Sequence, residues 1–360
     1  MTDSATRPAV PPRDHGLDLA RAWAVTVMVL GHVLDATLLV QARQNPAIAT
    51  YWQLRGLTAP LFLLVSGWAV SMLFCRRPRL GLWHARERMP RIATLFGLGL
   101  LLRFPTWALD RLMDGDPKIL AHFLAMDVLQ LIGLCLLLGG LLFGLSTRPA
   151  IRMALAGTAA LVVLLATSAV WSLADRDSWW SGLVLGGGKS PFPLFPWATY
   201  FLSGMGLGSM STMIPSPRRR ALYLMGGGLV LAAAAALVDG HWYVQARTTD
   251  PALTVYRLGL VTAWVGVLGL APASWGRRLA PLGRRTLAIY FIHLIMVYGA
   301  LRIQGMTYRV GHTLSPIRSL ALGILTLVIA AALAFLWSRR RHAWQFLRDN
   351  RRIHAILRRT

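Results

Sequence analysis

The chain has 360 residues, of which 55% are hydrophobic and 14% charged, and its mean hydropathy is +0.52. This composition is too apolar for a soluble globular protein, and the chain is too long for a single membrane anchor. The formal charge of +24 would favour nucleic-acid binding in a soluble chain. Here the basic residues lie mainly between apolar segments and no RNA- or DNA-binding motif is present, so we expect a polytopic membrane protein without a nucleic-acid partner.

The two cysteines, Cys75 and Cys135, show neither CxxC nor zinc-ligand spacing. We therefore predict no disulfide framework and no metal site. The N-terminal segment lacks a short apolar region followed by a small-residue cleavage site, so the first apolar stretch is expected to be a retained signal-anchor helix.

Ten stretches of about 20 mostly apolar residues are long enough to cross a bilayer. The sequence therefore predicts an all-α bundle of about ten transmembrane helices, with a cytoplasmic N-terminal tail (1–16), a membrane domain (17–337) and a basic cytoplasmic tail (338–360). The predicted spans are 20–40, 55–74, 91–109, 124–144, 151–172, 195–213, 221–238, 254–272, 286–302 and 317–337.

Arginine-rich loops follow every second predicted span: "CRRPRLGLWHARERMPR", "STRPAIR", "PSPRRR", "WGRRLAPLGRR" and the C-terminal tail. The alternate loops are mixed in sign and contain acidic and aromatic residues. The positive-inside rule places both termini and the Arg clusters in the cytoplasm. We expect the membrane to be a bacterial-type inner membrane. The tail either lies on anionic lipid as a basic helix or is solvated.

The first span carries four ionisable side chains on one face: Asp18, Arg21, His32 and Asp35. Eleven residues separate Arg21 from His32, which places them about 16 Å apart along the same side of a helix. We expect Arg21 at the cytoplasmic mouth of the bundle and His32 near the bilayer midplane. Because an ionisable group in lipid costs several kcal/mol, a functional role is favoured over the alternative in which His32 and Asp35 only satisfy each other.

The first span, "LDLARAWAVTVMVLGH" with R-x10-H from Arg21 to His32, resembles the acyltransferase-3 and heparan-α-glucosaminide N-acetyltransferase-like families of membrane acyltransferases. "APLFLLVSGWAVSMLF" and "LGRRTLAIYFIHLIMVYG" resemble segments of both families. "RMPR", from Arg88 to Arg91, resembles the R-x-x-R motif of acyltransferase-3 proteins. "DVLQLIGLCLLLGGLLF" and "FPWATYFLSGMGLG" are most similar to the heparan-glucosaminide type.

The resemblance implies an enzyme that transfers an acyl group, usually acetyl from cytoplasmic acetyl-CoA, to a hydroxyl or amine of an extracytoplasmic sugar, a glycan or lipid-linked sugar. Arg21, Arg88 and Arg91 would bind the coenzyme A phosphates by charge-assisted hydrogen bonds. His32 would act as general base or transient nucleophile, and Asp35 would orient its imidazole.

Four further side chains are candidate acceptor-binding residues. Asp127 and Gln130 begin the fourth span on one helical face, although Asp127 could instead be a helix cap. His293 in the ninth span could meet His32 or be a packing histidine. Arg257 in the eighth span could pair with an acceptor or with Asp127, whereas Arg103 is interpreted as snorkelling to the outer leaflet.

The alternative function is a proton-coupled transporter that uses the intramembrane His32 and Asp35 as a relay. The halves 1–180 and 181–360 show no internal symmetry, which favours the acyltransferase. The sequence leaves open the identity of the acceptor, acetyl or longer acyl, O- or N-transfer, direct transfer or an acyl-histidine, and the oligomeric state.

Overall fold

The computed structural model describes residues 14–173, 181, 190–239 and 250–357, with the backbone alone at 53–54, 239 and 340–357. These residues form helices joined by short loops, with a 3-10 turn (Gln41–Gln44) and a hairpin of β1 (Gly299–Ala300) and β2 (Ile303–Gln304). The helices are α1 (His15–Thr37), α2 (Pro46–Arg55), α3 (Thr58–Arg76), α4 (Trp83–Leu102), α5 (Leu109–Met113), α6 (Pro117–Leu124), α7 (Val128–Gly144), α8 (Pro149–Leu173), α9 (Leu194–Met213), α10 (Pro217–Asp239), α11 (Pro251–Leu270), α12 (Ala273–Gly283), α13 (Thr286–Tyr298), α14 (Met306–Arg309) and α15 (Pro316–Leu357).

The predicted all-α membrane architecture is confirmed, and each of the ten predicted spans overlaps a helix. In the part of the chain that the structure describes, six helices are long and apolar enough to cross a membrane: α1, α3, α8, α10, α11 and α15. A seventh span results if α6 and α7, bent by 64° at their junction, count together. Helices α4, α9 and α13 fall outside these limits, so the count of ten and the cytoplasmic termini stay predictions.

Helix α1 lies at the centre of the bundle, against α3, α11, α12, α13 and α15. The helix begins where the Asp14 side chain accepts a hydrogen bond from the Leu17 amide at 3.1 Å. Arg220, in the first turn of α10, binds the same carboxylate at 2.7 Å. The helix that carries the polar stripe is therefore anchored at its start and surrounded by protein.

Helices α3 and α9 approach each other closely because glycines lie at their contact. A Cβ atom at Gly67 would collide with the carbonyl oxygen of Phe201, and one at Gly204 with that of Leu64. Small residues allow helices in a membrane to pack backbone to backbone, where dispersion contacts and not the hydrophobic effect hold them together.

The bundle has two faces, at which the helices begin and end. Helices α1, α4 and α13 end, and α3 and α7 begin, on the face opposite the Arg-rich loops. Under the predicted orientation this is the outer face. Helix α15 continues without a break from the last predicted span into the basic segment predicted as a tail.

Candidate active site

A cavity of about 500 Å³ opens among the helix ends of the outer face. Its walls come from α1, the first turns of α3, the end of α4, the α6–α7 junction, residues 191–192 and α13. Aliphatic and aromatic side chains make up most of the lining. The titratable side chains that line the cavity are His32, Arg55, Arg103, His122, Asp127, Tyr290 and Tyr298.

His32 lies on the wall of this cavity and is half-buried. Its Nδ1 atom is 2.9 Å from the hydroxyl of Tyr298, the last residue of α13. His32 is 17 residues after the start of α1 and five before its end, so it lies closer to the outer end of the helix than to its middle. The hydrogen bond at Nδ1 leaves Nε2 as the nitrogen available to a substrate.

His293 packs against His32 on the side away from the cavity. The rings of His32 and His293 have centroids 5.4 Å apart, so the structure brings together the two histidines of the sequence prediction. His293 is fully buried, and its Nδ1 donates to the backbone oxygen of Ile289 at 2.9 Å. Its Nε2 is buried without a hydrogen-bond partner among the described residues, and the side chain does not line the cavity.

The structure corrects the predicted role of Asp35. Its carboxylate binds both terminal nitrogens of Arg55, at 3.0 and 3.2 Å, and Arg43 lies 3.8 Å away. In the described part of the chain Tyr298, and not Asp35, bonds to the imidazole of His32. The i, i+3 spacing puts both side chains on one side of α1, but the neighbouring guanidinium groups bind the carboxylate.

Asp127 is a helix cap and also lines the cavity. It is the N-cap of α7, with its Oδ1 accepting from the Val128 amide at 2.7 Å. The same oxygen accepts from the Tyr290 hydroxyl at 3.2 Å, and the carboxylate lines the cavity. Gln130 completes the capping box by accepting from the Asp127 amide at 3.2 Å, and its side chain is buried outside the cavity.

Two arginines lie elsewhere than predicted. The expected snorkelling of Arg103 is wrong, because Arg103 lines the cavity with its Nε 3.9 Å from Asp127. Arg257 is buried beside Tyr200, whose hydroxyl it hydrogen-bonds together with Thr254, and it does not line the cavity. The structure thus moves Arg103 into the candidate site and places Arg257 outside it.

The predicted donor-binding arginines lie at the opposite ends of their helices from the cavity. Arg21 lies in the second turn of α1, where this helix packs on Gly283 at the end of α12. Arg88 and Arg91 are in the first three turns of α4, and Arg88 pairs with Glu87 at 3.2 Å. Fourteen residues of helix between Arg88 and Leu102 correspond to about 21 Å.

Sequence reasoning missed Arg55, Tyr290 and Tyr298. The two tyrosines carried a usable signal, because Tyr290 precedes His293 by one helical turn and Tyr298 ends the same apolar stretch. Arg55 carried no such signal, since its partner Asp35 lies across a loop and a short helix that the span analysis did not resolve.

The family model for the heparan-α-glucosaminide N-acetyltransferase catalytic domain matches residues 13–239. This segment runs through α10, so it contains His32, Asp127 and the three candidate donor-binding arginines, whereas α13 with its tyrosines follows it. A search of curated proteins gives no matching relative. Because the family match extends over more than half of the chain and includes most of the cavity wall around His32, this integral membrane protein belongs to the heparan-α-glucosaminide N-acetyltransferase family of acetyltransferases.

Proposed function

We propose that the protein transfers an acetyl group from cytoplasmic acetyl-CoA to a hydroxyl or amine of a sugar on the outer side of the inner membrane, with His32 as general base. The observation that carries this proposal is the position of His32, on the wall of the outer cavity with Nδ1 bonded to Tyr298. An imidazole whose other nitrogen is held by a neighbour is oriented for proton transfer.

The reaction needs one proton acceptor and no metal. His32 Nε2 takes the proton of the sugar hydroxyl or amine while its oxygen or nitrogen attacks the thioester carbonyl carbon. The tetrahedral intermediate collapses, the C–S bond breaks, and the coenzyme A sulfur takes the proton from the imidazolium. An acetyl-imidazole formed first on Nε2 would need the same nitrogen.

The donor is proposed to bind along the inner half of the bundle. Arg21, Arg88 and Arg91 supply guanidinium groups at the Arg-rich face, where they would bind phosphates. About 16 Å of α1 separates Arg21 from His32, a distance that the extended pantetheine arm of coenzyme A would have to cover.

The acceptor is proposed to occupy the outer cavity. Asp127, Arg103 and Tyr290 present a carboxylate, a guanidinium and a phenol on one wall, which are the groups that bind sugar hydroxyls. The apolar remainder of the lining suits the faces of sugar rings or a lipid attached to the sugar. His293 would act on the acceptor only through His32, because its ring lies behind the cavity wall.

Detergent-permeabilised membranes given radiolabelled acetyl-CoA test this proposal. Label should appear on an endogenous glycan or lipid-linked sugar, or on added p-nitrophenyl α-glucosaminide, and His32→Ala should abolish the transfer at unchanged protein level. Acetyl transfer by His32→Ala would contradict the role of His32 as general base. Proton-coupled solute flux without use of acetyl-CoA would remove the function and favour the transporter.

A further inference from the structure

We propose that Arg55 is a second catalytic residue, whose guanidinium stabilises the negative charge that develops on the acetyl carbonyl oxygen. This assignment rests on the proposed acetyl transfer and adds the electrophilic half of its active site. General base catalysis by His32 leaves that charge without a partner, and stabilisation of an oxyanion is often the largest single contribution to acyl transfer.

Arg55 and His32 share the cavity wall. Arg55 is the last residue of α2, immediately before α3, and its side chain is 24% exposed and lines the cavity. The Arg55 side chain packs against α1 at Gly31, the residue before His32. A Cβ atom at Gly31 would lie 3.1 Å from Arg55 Nε. The absence of a side chain at Gly31 therefore allows the guanidinium to lie against the helix next to His32.

The guanidinium is held rigidly by two neighbours. Its two terminal nitrogens bind the two oxygens of Asp35, at 3.0 and 3.2 Å, in a bidentate pair. Its central carbon lies 5.3 Å from the ring centroid of Trp52, one helical turn earlier. A guanidinium has five N–H groups and a bidentate pair uses two of them, so N–H donors remain for a substrate oxygen.

The cluster around Arg55 carries excess positive charge. Arg43 and Arg55 share the single carboxylate of Asp35, which gives two cations for one anion and a net charge of +1. Polar neighbours of the cluster include His312, 3.5 Å from Arg43, and the hydroxyls of Tyr51 and Tyr298, which interact electrostatically with Asp35 and Arg55. Asp35 therefore does not neutralise both guanidinium groups, and because Arg43 does not line the cavity, the direct N–H donors of Arg55 stabilise the oxyanion.

This arrangement gives Asp35 a different role from the one that its position on α1 predicted. Asp35 positions Arg55 and contacts no reacting atom, and Arg55 faces the space in which the thioester carbonyl must lie to meet His32. When the acceptor attacks, the carbonyl oxygen gains the charge, and Arg55 donates a hydrogen bond to it without losing its proton. As the C–S bond breaks, the oxygen lone pair re-forms the C=O bond, and the bonding electrons leave with the coenzyme A sulfur, which takes the proton from the His32 imidazolium.

The test compares Arg55→Ala, Arg55→Lys and the matched control Arg43→Ala. Arg43 binds the same carboxylate and stacks on the same Trp52 at 5.0 Å, but it does not line the cavity. Release of coenzyme A from acetyl-CoA is measured with p-nitrophenyl α-glucosaminide as acceptor, with and without added guanidinium chloride at millimolar concentration. Thermal unfolding in detergent monitors folding.

We expect Arg55→Ala to lower kcat by about 10²- to 10³-fold, the usual effect of removing one oxyanion donor, with the KM for acetyl-CoA changed little. Millimolar guanidinium should restore part of the kcat of Arg55→Ala and none of that of His32→Ala. Arg55→Lys keeps the positive charge but loses the planar pair of N–H donors, so its kcat should lie between those of wild type and Arg55→Ala. Arg43→Ala should retain activity within a few-fold of wild type.

An unchanged kcat in Arg55→Ala, while His32→Ala abolishes transfer, would overturn this assignment and leave the proposed function standing. A higher KM for the acceptor at unchanged kcat would also overturn it, because Arg55 would then only bind substrate. Arg55→Ala could fail to fold, and the decision then rests on Arg55→Lys. A folded Arg55→Lys whose kcat equals that of wild type and does not respond to guanidinium would overturn the assignment of Arg55. Wild-type membranes that transfer no acetyl group would remove both proposals.

Discussion

The hydroxyl of Tyr298 lies 2.9 Å from Nδ1 of His32, with the two rings edge to face at 85°. This contact joins the outer third of α1 to the end of α13 across 266 residues of sequence. When Nδ1 carries the proton and donates it to the tyrosine oxygen, the lone pair of Nε2 points to the substrate. In the proposed reaction Tyr298 therefore occupies the orienting position that a carboxylate has in hydrolytic triads.

Tyr298→Phe removes the hydrogen-bond partner of His32 and keeps the aromatic ring. We expect kcat for acetyl transfer to fall by about 10-fold or more, because His32 loses both its fixed tautomer and its orientation. The KM for acetyl-CoA should change by less than about twofold, since the donor phosphates are proposed to bind far from this residue. Tyr308→Phe, at a tyrosine that is 76% exposed, is the matched control. Equal kcat values in both variants would contradict the orienting role.

Substitutions of Asp127 separate its capping role from its role at the cavity. Asp127→Asn keeps an oxygen for the Val128 amide but loses the negative charge facing Arg103, so the thermal stability should stay close to wild type while the KM for the acceptor rises. Asp127→Ala removes the cap as well and should cost about 1 kcal/mol of stability in addition. An unchanged acceptor KM in Asp127→Asn would leave the residue with a structural role only.

Periodicity and charge predicted the helices and the importance of His32, because a single apolar span with ionisable groups on one face is a local pattern. The partners of those groups were not predictable in the same way. Asp35 is bound by Arg43, in the 3-10 turn after α1, and by Arg55, the last residue of the short helix α2, and no repeating sequence pattern links either arginine to Asp35. Arg103 points into the cavity and not to the outer leaflet, since Asp127 and the His122 carbonyl bind it there. Such choices depend on how helices pack, which one sequence does not encode locally.

The donor side is tested at Arg88 and Arg91. Replacing either with alanine should raise the KM for acetyl-CoA several-fold and change kcat little, because each guanidinium is proposed to bind phosphate far from the reacting atoms. The effect should diminish for a donor without the nucleotide, such as acetyl-pantetheine. Arg86→Ala, an exposed arginine of the same helix, is the control. An unchanged KM in both variants would remove these residues from the donor site.

A fully buried arginine on the face of the Arg-rich loops binds three segments of the chain. Arg152, in the first turn of α8, donates to the backbone oxygens of Phe74, Phe143 and Ser146 at 3.1, 2.9 and 2.6 Å. Phe74 and Phe143 lie in the last turns of α3 and α7, where helix dipoles favour a cation. The sequence analysis used "STRPAIR" only as a topology signal and did not predict this contact.

Arg152→Ala leaves these buried carbonyl groups without a donor, at about 1–3 kcal/mol for each. We expect a strongly lowered unfolding temperature in detergent, or loss of monodisperse protein. Arg152→Lys should be nearly as unstable, because one ammonium group cannot reach all the acceptors that the guanidinium fork binds. Arg148→Ala, at an exposed arginine one helical turn earlier, should unfold like wild type. A wild-type unfolding temperature for Arg152→Ala would show that the contacts are dispensable.

The same cluster predicts an acid sensitivity at His84, which lies before the predicted span 91–109. Burial, and then the neighbouring Arg152, lower the pKa of His84 from 6.5 to about 4. The Nε2 atom receives hydrogen bonds from Arg152 at 3.1 Å and from the Arg79 amide at 3.4 Å, so it must be unprotonated. Protonation would put a second cation against the guanidinium in a buried position.

The unfolded chain binds this proton near pH 6.5 and the folded protein only near pH 4, so His84 lowers stability as the pH falls from about 6.5 to 4. His84→Gln keeps an oxygen acceptor for Arg152 but cannot be protonated. Its unfolding temperature in detergent should therefore fall less than that of wild type over this pH window, and the two should differ by a constant amount above pH 7. If the unfolding temperatures of wild type and His84→Gln fall in parallel from pH 7 to pH 4, other groups control the acid response. His84 would then be protonated as easily in the folded protein as in the unfolded chain.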